Sequence, residues 1–202
     1  MICINKNIRE KIVVVIEMLM RFSVSNFMSF RYKEDSQGNI LPEEFHLYAG
    51  RSEQFRDRVL DFENRKILKF ASVYGANAAG KTNLIRAVDC GRNIVISTME
   101  NADYRDKYCK NKKENREKPT FFEYEFTVGK KCYAYGFTVN LESGNVLSEW
   151  LYALSEKEET AGFERQVQQN KYYFDEKIFR NSENVQQFHY FIQDANRIKG
   201  SL

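Results

Sequence analysis

The sequence predicts an α/β domain: a mixed β-sheet around one central helix, carrying an antiparallel β-meander. Three observations predict it. The apolar run at residues 67–74 stops at Gly75, as a buried strand does. Small residues follow as far as Gly80. Then Leu84, Val88, Gly91 and Val95 recur at helical spacing within residues 81–99, with Ile85 and Ile94 beside them. From 119 to 175, aromatic and β-branched residues alternate with polar ones between turn signals.

Composition supports a folded chain. Apolar residues make up 43% of the 202 residues, and 16 Phe with 12 Tyr supply large surfaces for a core. Only 2 Pro and 10 Gly argue against a disordered or fibrous chain. The excess of 31 basic over 28 acidic residues, +3, is too small to point to nucleic acid or a membrane by field strength. Cys3, Cys90, Cys109 and Cys132 form no C-x-x-C pair, and His46 and His189 are the only histidines. The sequence therefore offers no structural zinc site and reads as reduced thiols in a cytoplasm.

The elements follow in order. The apolar stretch at 12–20, interrupted by Glu17, is far shorter than the roughly 20 residues that cross a bilayer, so no membrane anchor is expected. Residues 1–19 are read as an extension ahead of a start at Met18 or Met20, or else as an added strand or helix. From Met20 the chain alternates, with Met20, Phe22 and Val24 on one side and Arg21, Ser23 and Ser25 on the other, a half-buried strand. Residues 45–49 read as a short strand and 51–66 as a charged connection or helix.

Beyond the central helix, residues 101–118 carry Arg105, Lys107, Lys110, Lys112, Lys113, Arg116 and Lys118 among acidic residues, and no apolar periodicity. They read as a solvated charged loop, with nucleic-acid contact left open. The meander of 119–175 then takes strands at 122–128, 132–139 and 146–154, with short ones at 163–167 and 172–174. A last helix at 182–199 places Val185, Phe188, Ile192 and Ala195 on one face behind a cap at Asn181 or Ser182, with His189 packed beside it.

The loop at 75–82 carries the chemistry. It reads G-x-x-x-x-G-K-[ST] through Gly75, Gly80, Lys81 and Thr82. A polyphosphate wrapped by backbone N–H groups needs small residues at close range, and Gly75, Ala76, Ala78, Ala79 and Gly80 leave that space. The helix beginning at Lys81 points its positive end at the phosphates. Lys81 adds a full charge toward the β- and γ-phosphates, and the Thr82 hydroxyl is the candidate Mg²⁺ ligand. The Asn-Lys pairs at 5–6, 111–112 and 170–171 all lack the Asp of a guanine-reading N-K-x-D motif, which leaves ATP with Mg²⁺. The expected nucleotide-binding residues are Gly75, Ala76, Asn77, Ala78, Ala79, Gly80, Lys81, Thr82 and Asn83. No residue is assigned a catalytic role.

Residues 22–30, Phe-Ser-Val-Ser-Asn-Phe-Met-Ser-Phe, and the loop ending at Asn83 resemble the start of ABC-type ATPases of the RecF-like and chromosome-maintenance branch. More narrowly, with 45–50, 133–137 and 147–152, the chain resembles bacterial AAA family ATP-binding proteins related to overcoming-lysogenization-defect and abortive-infection ATPases. Met28 stands where relatives often carry an arginine near the nucleotide. No Walker B run of four apolar residues ending in Asp-Glu occurs, and Leu147-Ser148-Glu149 and Leu154-Ser155-Glu156 depart from the signature Leu-Ser-x-Gly at the glycine. The Mg²⁺-sensing glutamine has candidates in Gln186, Gln187 and Gln193.

The resemblance implies a P-loop NTPase fold of the ABC type. It further implies that residues 20–202 form its N-terminal half, truncated or a short gene product, in which ATP is bound but hydrolysed poorly. In relatives two heads sandwich ATP, so dimerisation is expected where the second half is present. The alternatives are a nucleotide-dependent switch acting with a separate effector protein, and an inactive fragment.

Overall fold

The computed structural model describes residues 18–50, 56–62, 65–97, 104–155, 158–167 and 169–175. Its elements are β1 (Met18–Ser25), β2 (Glu43–His46), β3 (Val59–Phe62), β4 (Arg65–Leu68), α1 (Lys81–Ser97), β5 (Thr120–Val128), β6 (Lys131–Asn140), β7 (Asn145–Leu154), β8 (Glu159–Gln166) and β9 (Lys171–Phe174). The helix expected at 182–199, residues 1–17 of the extension expected at 1–19, and His189 lie outside the described residues, whereas Met18 and Leu19 belong to β1 and pair with β5.

Seven strands form one sheet in the order β2-β1-β5-β6-β7-β8-β9, and β3 pairs with β4 as a separate hairpin. The run β5 to β9 is a meander in which each strand pairs with its successor. Between β5 and β6 the turn holds only Gly129 and Lys130, since Val128 already faces Lys131. The sheet expected to be mixed is antiparallel in every pairing of the described residues. The connections explain this: adjacent strands joined by short turns must reverse direction, and a parallel pair needs a crossover.

β1 enters the sheet between β2 and β5, with Phe22 facing Phe45 on one side and Tyr124 on the other. A register shift between Leu19 and Arg21 breaks the simple alternation expected of this strand. Phe22 and Val24 face α1. Met20 instead joins Cys132, Ala134, Leu154 and Ile67 of the β3–β4 hairpin in a second cluster. The bulge inserts one residue and turns Met20 to the opposite face. Hairpin β3–β4 also replaces the charged connection or helix expected at 51–66, because Asp61 and Lys66 face each other across it while Ile67 takes the core.

The main core lies between the sheet and α1. Phe22, Val24, Phe122, Tyr124, Phe126 and Phe137 meet Ala87, Cys90 and Ile94 of the helix. The helix is rotated relative to the stripe expected from sequence: Ala87, Cys90 and Gly91 are buried, and Ile85 is 68% exposed. Phe122 and Tyr124 press so closely that a Cβ at Gly91 would collide with the Tyr124 hydroxyl and stand 3.2 Å from the Phe122 ring. Cys90, Cys109 and Cys132 are buried.

Polar residues share the other face with the second cluster. Arg21 reaches Glu44 at 2.8 Å, Glu123 at 3.2 Å and Glu125 at 2.5 Å. Burial alone would lower its pKa, but the three carboxylates outweigh that and hold the guanidinium above its ordinary value. Trp150 Nε1 donates to Glu123 at 2.8 Å, and this face is thereby tied together from β2 to β7.

Candidate phosphate-binding site

The expected strand at 67–74 ends at Leu68 in the structure. Residues 69–79 are exposed throughout, with Phe70 58%, Val73 48% and Tyr74 89% exposed. An apolar run becomes a buried strand only where neighbours pair with it. β4 pairs with β3 and, through a single bridge between Ile67 and Tyr48, with the segment after β2; the β3 ladder ends where Val59 meets Leu68.

Gly75, Ala76, Asn77, Ala78, Ala79, Gly80, Lys81, Thr82 and Asn83 lie in one continuous loop and the first turn of α1. Ala78 (φ 66°) and Gly80 (φ 89°) both take left-handed backbone conformations. Ala79 N donates to Ala76 O at 3.2 Å and tightens the turn. Such backbone curls its N–H groups toward a common concavity that suits an anion. A side chain at Gly75 would crowd the loop, since its Cβ would stand 3.3 Å from Ala79 Cβ. From Gly80 the helix begins: its carbonyl accepts from Asn83 N at 2.9 Å and Leu84 N at 3.2 Å.

Lys81 bends back over the loop. Its Nζ donates to Gly75 O and Ala76 O, each at 2.6 Å, which holds the ammonium above the concavity. Thr82 is exposed in the first turn of α1. Beside the loop lies a cavity of about 240 Å³, lined in part by Phe30, Glu43, Phe45, Tyr74, Lys81 and Leu84. Among the described residues no group of three His, Cys, Asp or Glu side chains could hold a metal ion. Glu149 accepts from Tyr135 Oη at 2.7 Å and pairs with Arg165 at 3.1 Å on β7, as a residue of the sheet. Gln186, Gln187 and Gln193 lie outside the described residues.

Sequence reasoning gave no role to Ser29, which the structure brings to the loop. Its Oγ accepts from Asn83 Nδ2 at 3.0 Å and stands 3.1 Å from the position of a Cβ on Gly80. Its contact separates residues 54 apart in the chain, and no local spacing announces it.

Nor is the charged segment at 104–119 simply solvated. Its backbone folds against the turn after β1: Met28 N donates to Lys107 O at 2.7 Å, and Cys109 N to Asn26 Oδ1 at 3.2 Å. Asn115 is buried and donates to Cys109 O at 2.8 Å. Lys110 pairs with Asp106 at 3.1 Å and Lys118 with Glu34 at 3.6 Å, while Arg105, Lys112 and Lys113 remain exposed.

Residues 70–195, more than half of the chain, match the family described as "AAA domain, putative AbiEii toxin, Type IV TA system". The chain belongs to this AAA-domain family. The match starts just ahead of the Gly75–Asn83 loop and runs through the meander, so this AAA domain is a P-loop ATPase of the abortive-infection type. A comparison with curated proteins finds no match. No helix of the described residues is long and apolar enough to cross a membrane.

Proposed function

We propose that this AAA domain binds Mg-ATP at residues 75–83. The observation that carries the reading is the Lys81 ammonium, held against the carbonyls of Gly75 and Ala76 in a loop whose Ala78 and Gly80 take left-handed backbone conformations ahead of α1. A triphosphate supplies what this arrangement lacks: negative charge for the ammonium, for the loop amides and for the positive end of the helix. On binding, Lys81 exchanges the two loop carbonyls for the β- and γ-phosphates. The Thr82 hydroxyl, exposed in the first turn, holds Mg²⁺.

We further infer that the chain is the ATP-binding part of an ABC-type ATPase that works in phage defence with an effector protein. The abortive-infection character of the family supports the setting. The exposed Phe70, Val73 and Tyr74 support the architecture: such an apolar run, left uncovered by the described residues, suits burial against a further part of the ATPase.

The test is calorimetric titration with Mg-ATP. The wild-type chain binds, and Lys81→Ala weakens binding by about 2–3 kcal/mol, roughly 30- to 150-fold, as expected for loss of hydrogen bonds to a charged group. Stability changes little, because the side chain is at a partly exposed helix start. Equal affinity in the two proteins would overturn the assignment.

A further inference from the structure

We propose that Ser29 is a positioning residue of the phosphate loop, and that Asn26 ties it to the 104–119 segment, so that this charged segment sets the loop's grip on phosphate. The proposal rests on the reading of residues 75–83 as an anion site.

The turn after β1 is unusual in holding two non-glycine residues at positive φ, Asn26 at 56° and Met28 at 49°. Asparagine tolerates this conformation, and methionine adopts it only when its surroundings impose it. What imposes it is the 104–119 segment. Asn26 is fully buried, and its Nδ2 lies within donor distance of Asn115 O at 2.9 Å, Lys118 O at 3.0 Å and Pro119 O at 3.3 Å. Its Oδ1 accepts from Cys109 N, and its carbonyl accepts from Thr120 Oγ1 at 2.9 Å. Met28 N is taken by Lys107 O. The turn closes on itself through Phe27 and Phe30, whose amides donate to each other's carbonyls at 3.1 and 2.8 Å.

Ser29 sits inside that closed turn, next to Met28, whose amide is held by Lys107 of the segment. It is exposed, and its hydroxyl reaches Asn83 and abuts Gly80, the left-handed residue of the phosphate loop. The contacts run without a break from Lys107 and Cys109 through Met28 and Asn26 to Ser29, and from there to the loop. A shift of the segment must move Ser29, and a shift of Ser29 must move the first turn of α1 or break its bond to Asn83. Linkage is reciprocal, so phosphate bound at the loop must equally steady the segment.

The experiment is a double-mutant cycle read as Mg-ATP affinity on the full chain, with melting temperature alongside. Ser29→Ala and Asn83→Ala each weaken binding by about fivefold, the scale of one neutral hydrogen bond. The double variant is no weaker than the weaker single one, and all three melt within about 2 °C of wild type. In hydrogen exchange, Mg-ATP slows the Met28 and Cys109 amides of the wild-type chain and leaves them unchanged in Ser29→Ala. Additive losses, or a Ser29→Ala affinity equal to wild type, overturn the positioning role. Amides that do not respond to Mg-ATP in the wild-type chain overturn the link to the segment. A wild-type chain that binds no nucleotide overturns the reading of the loop itself, and this proposal with it.

Discussion

The phenol of Tyr124 donates to the carbonyl of Val88 at 2.9 Å, passing through the notch that Gly91 leaves in α1. This contact fixes the depth at which the helix sits on the sheet. Gly91→Ala gains about 1 kcal/mol in helix propensity but forces a methyl into the Tyr124 hydroxyl and the Phe122 ring, an overpacking that costs about 1–3 kcal/mol or more. The net expectation is destabilisation. Tyr124→Phe removes the bond and relieves part of the clash, so the double variant is more stable than the sum of the single losses predicts. Urea unfolding of the four proteins checks this, and simple additivity would show that Gly91 matters for another reason.

Alkaline pH loosens the same contact region. Burial, with Asp89 adding, pushes the Cys90 thiol up to about 12, and burial raises Tyr124 and Tyr135 as well. A cysteine of the unfolded chain titrates near 9.0. The folded state therefore holds its proton where the unfolded state has lost it. That contribution is complete below about pH 9 and falls away by about 1.4 kcal/mol per pH unit as pH rises toward 12. Melting temperatures measured from pH 8 to 11 decline above 9, and Cys90→Ala, though less stable at pH 8, declines less steeply. An equal slope in both proteins would remove Cys90 as a cause.

Thr82→Ala separates metal from phosphate. Lys81 and the loop amides remain, so affinity for ATP in the absence of Mg²⁺ stays within about twofold, while the gain on adding Mg²⁺ shrinks. Titrations with and without the metal decide it. An equal loss under both conditions would place Thr82 on the phosphates instead.

Hydrolysis by this chain alone is expected to be slow. The loop positions and partly neutralises the phosphates, but cleavage also needs a carboxylate to orient water and another to hold the metal. Positioning by the loop alone leaves most of the barrier in place. Phosphate release by purified protein, with Lys81→Ala as the contamination control, is the measurement. Turnover near about 1 per second, the low end of ordinary enzymes, that vanishes in Lys81→Ala would contradict this. Glu43, which lines the cavity beside Lys81 and pairs with Lys33 at 3.5 Å, would then be the first carboxylate to replace with glutamine.

Where the determinants are local, the sequence made the structure legible. Strands β5 to β9 follow alternation and turn residues, and α1 follows its helical spacing, because each depends on near neighbours along the chain. The turn through Gly75 and Gly80 into α1 was legible for the same reason, and its role as a phosphate site is the proposal made above. Residues 69–74 misled, because an apolar run reports what could be buried and not whether a partner strand is there. Met20 misled through a one-residue bulge that leaves composition untouched. Ser29 and Asn26 were invisible as site residues, since their partners Asn83 and Asn115 lie 54 and 89 residues away.

The place of β1 in the sheet governs the order in which the molecule can assemble. β5 to β9 form from hairpins between successive strands, events that close short loops quickly. β1 pairs with β5 through contacts such as Met18 with Thr127, and must wait for a closure spanning about half the chain. Only then do Asn26 and Ser29 arrive, the latter to meet the start of α1. During refolding from urea, fluorescence of Trp150 within the meander should therefore recover before a nucleotide-binding signal does. The capacity to hold phosphate would be the last property the chain acquires on folding and the first it surrenders on unfolding.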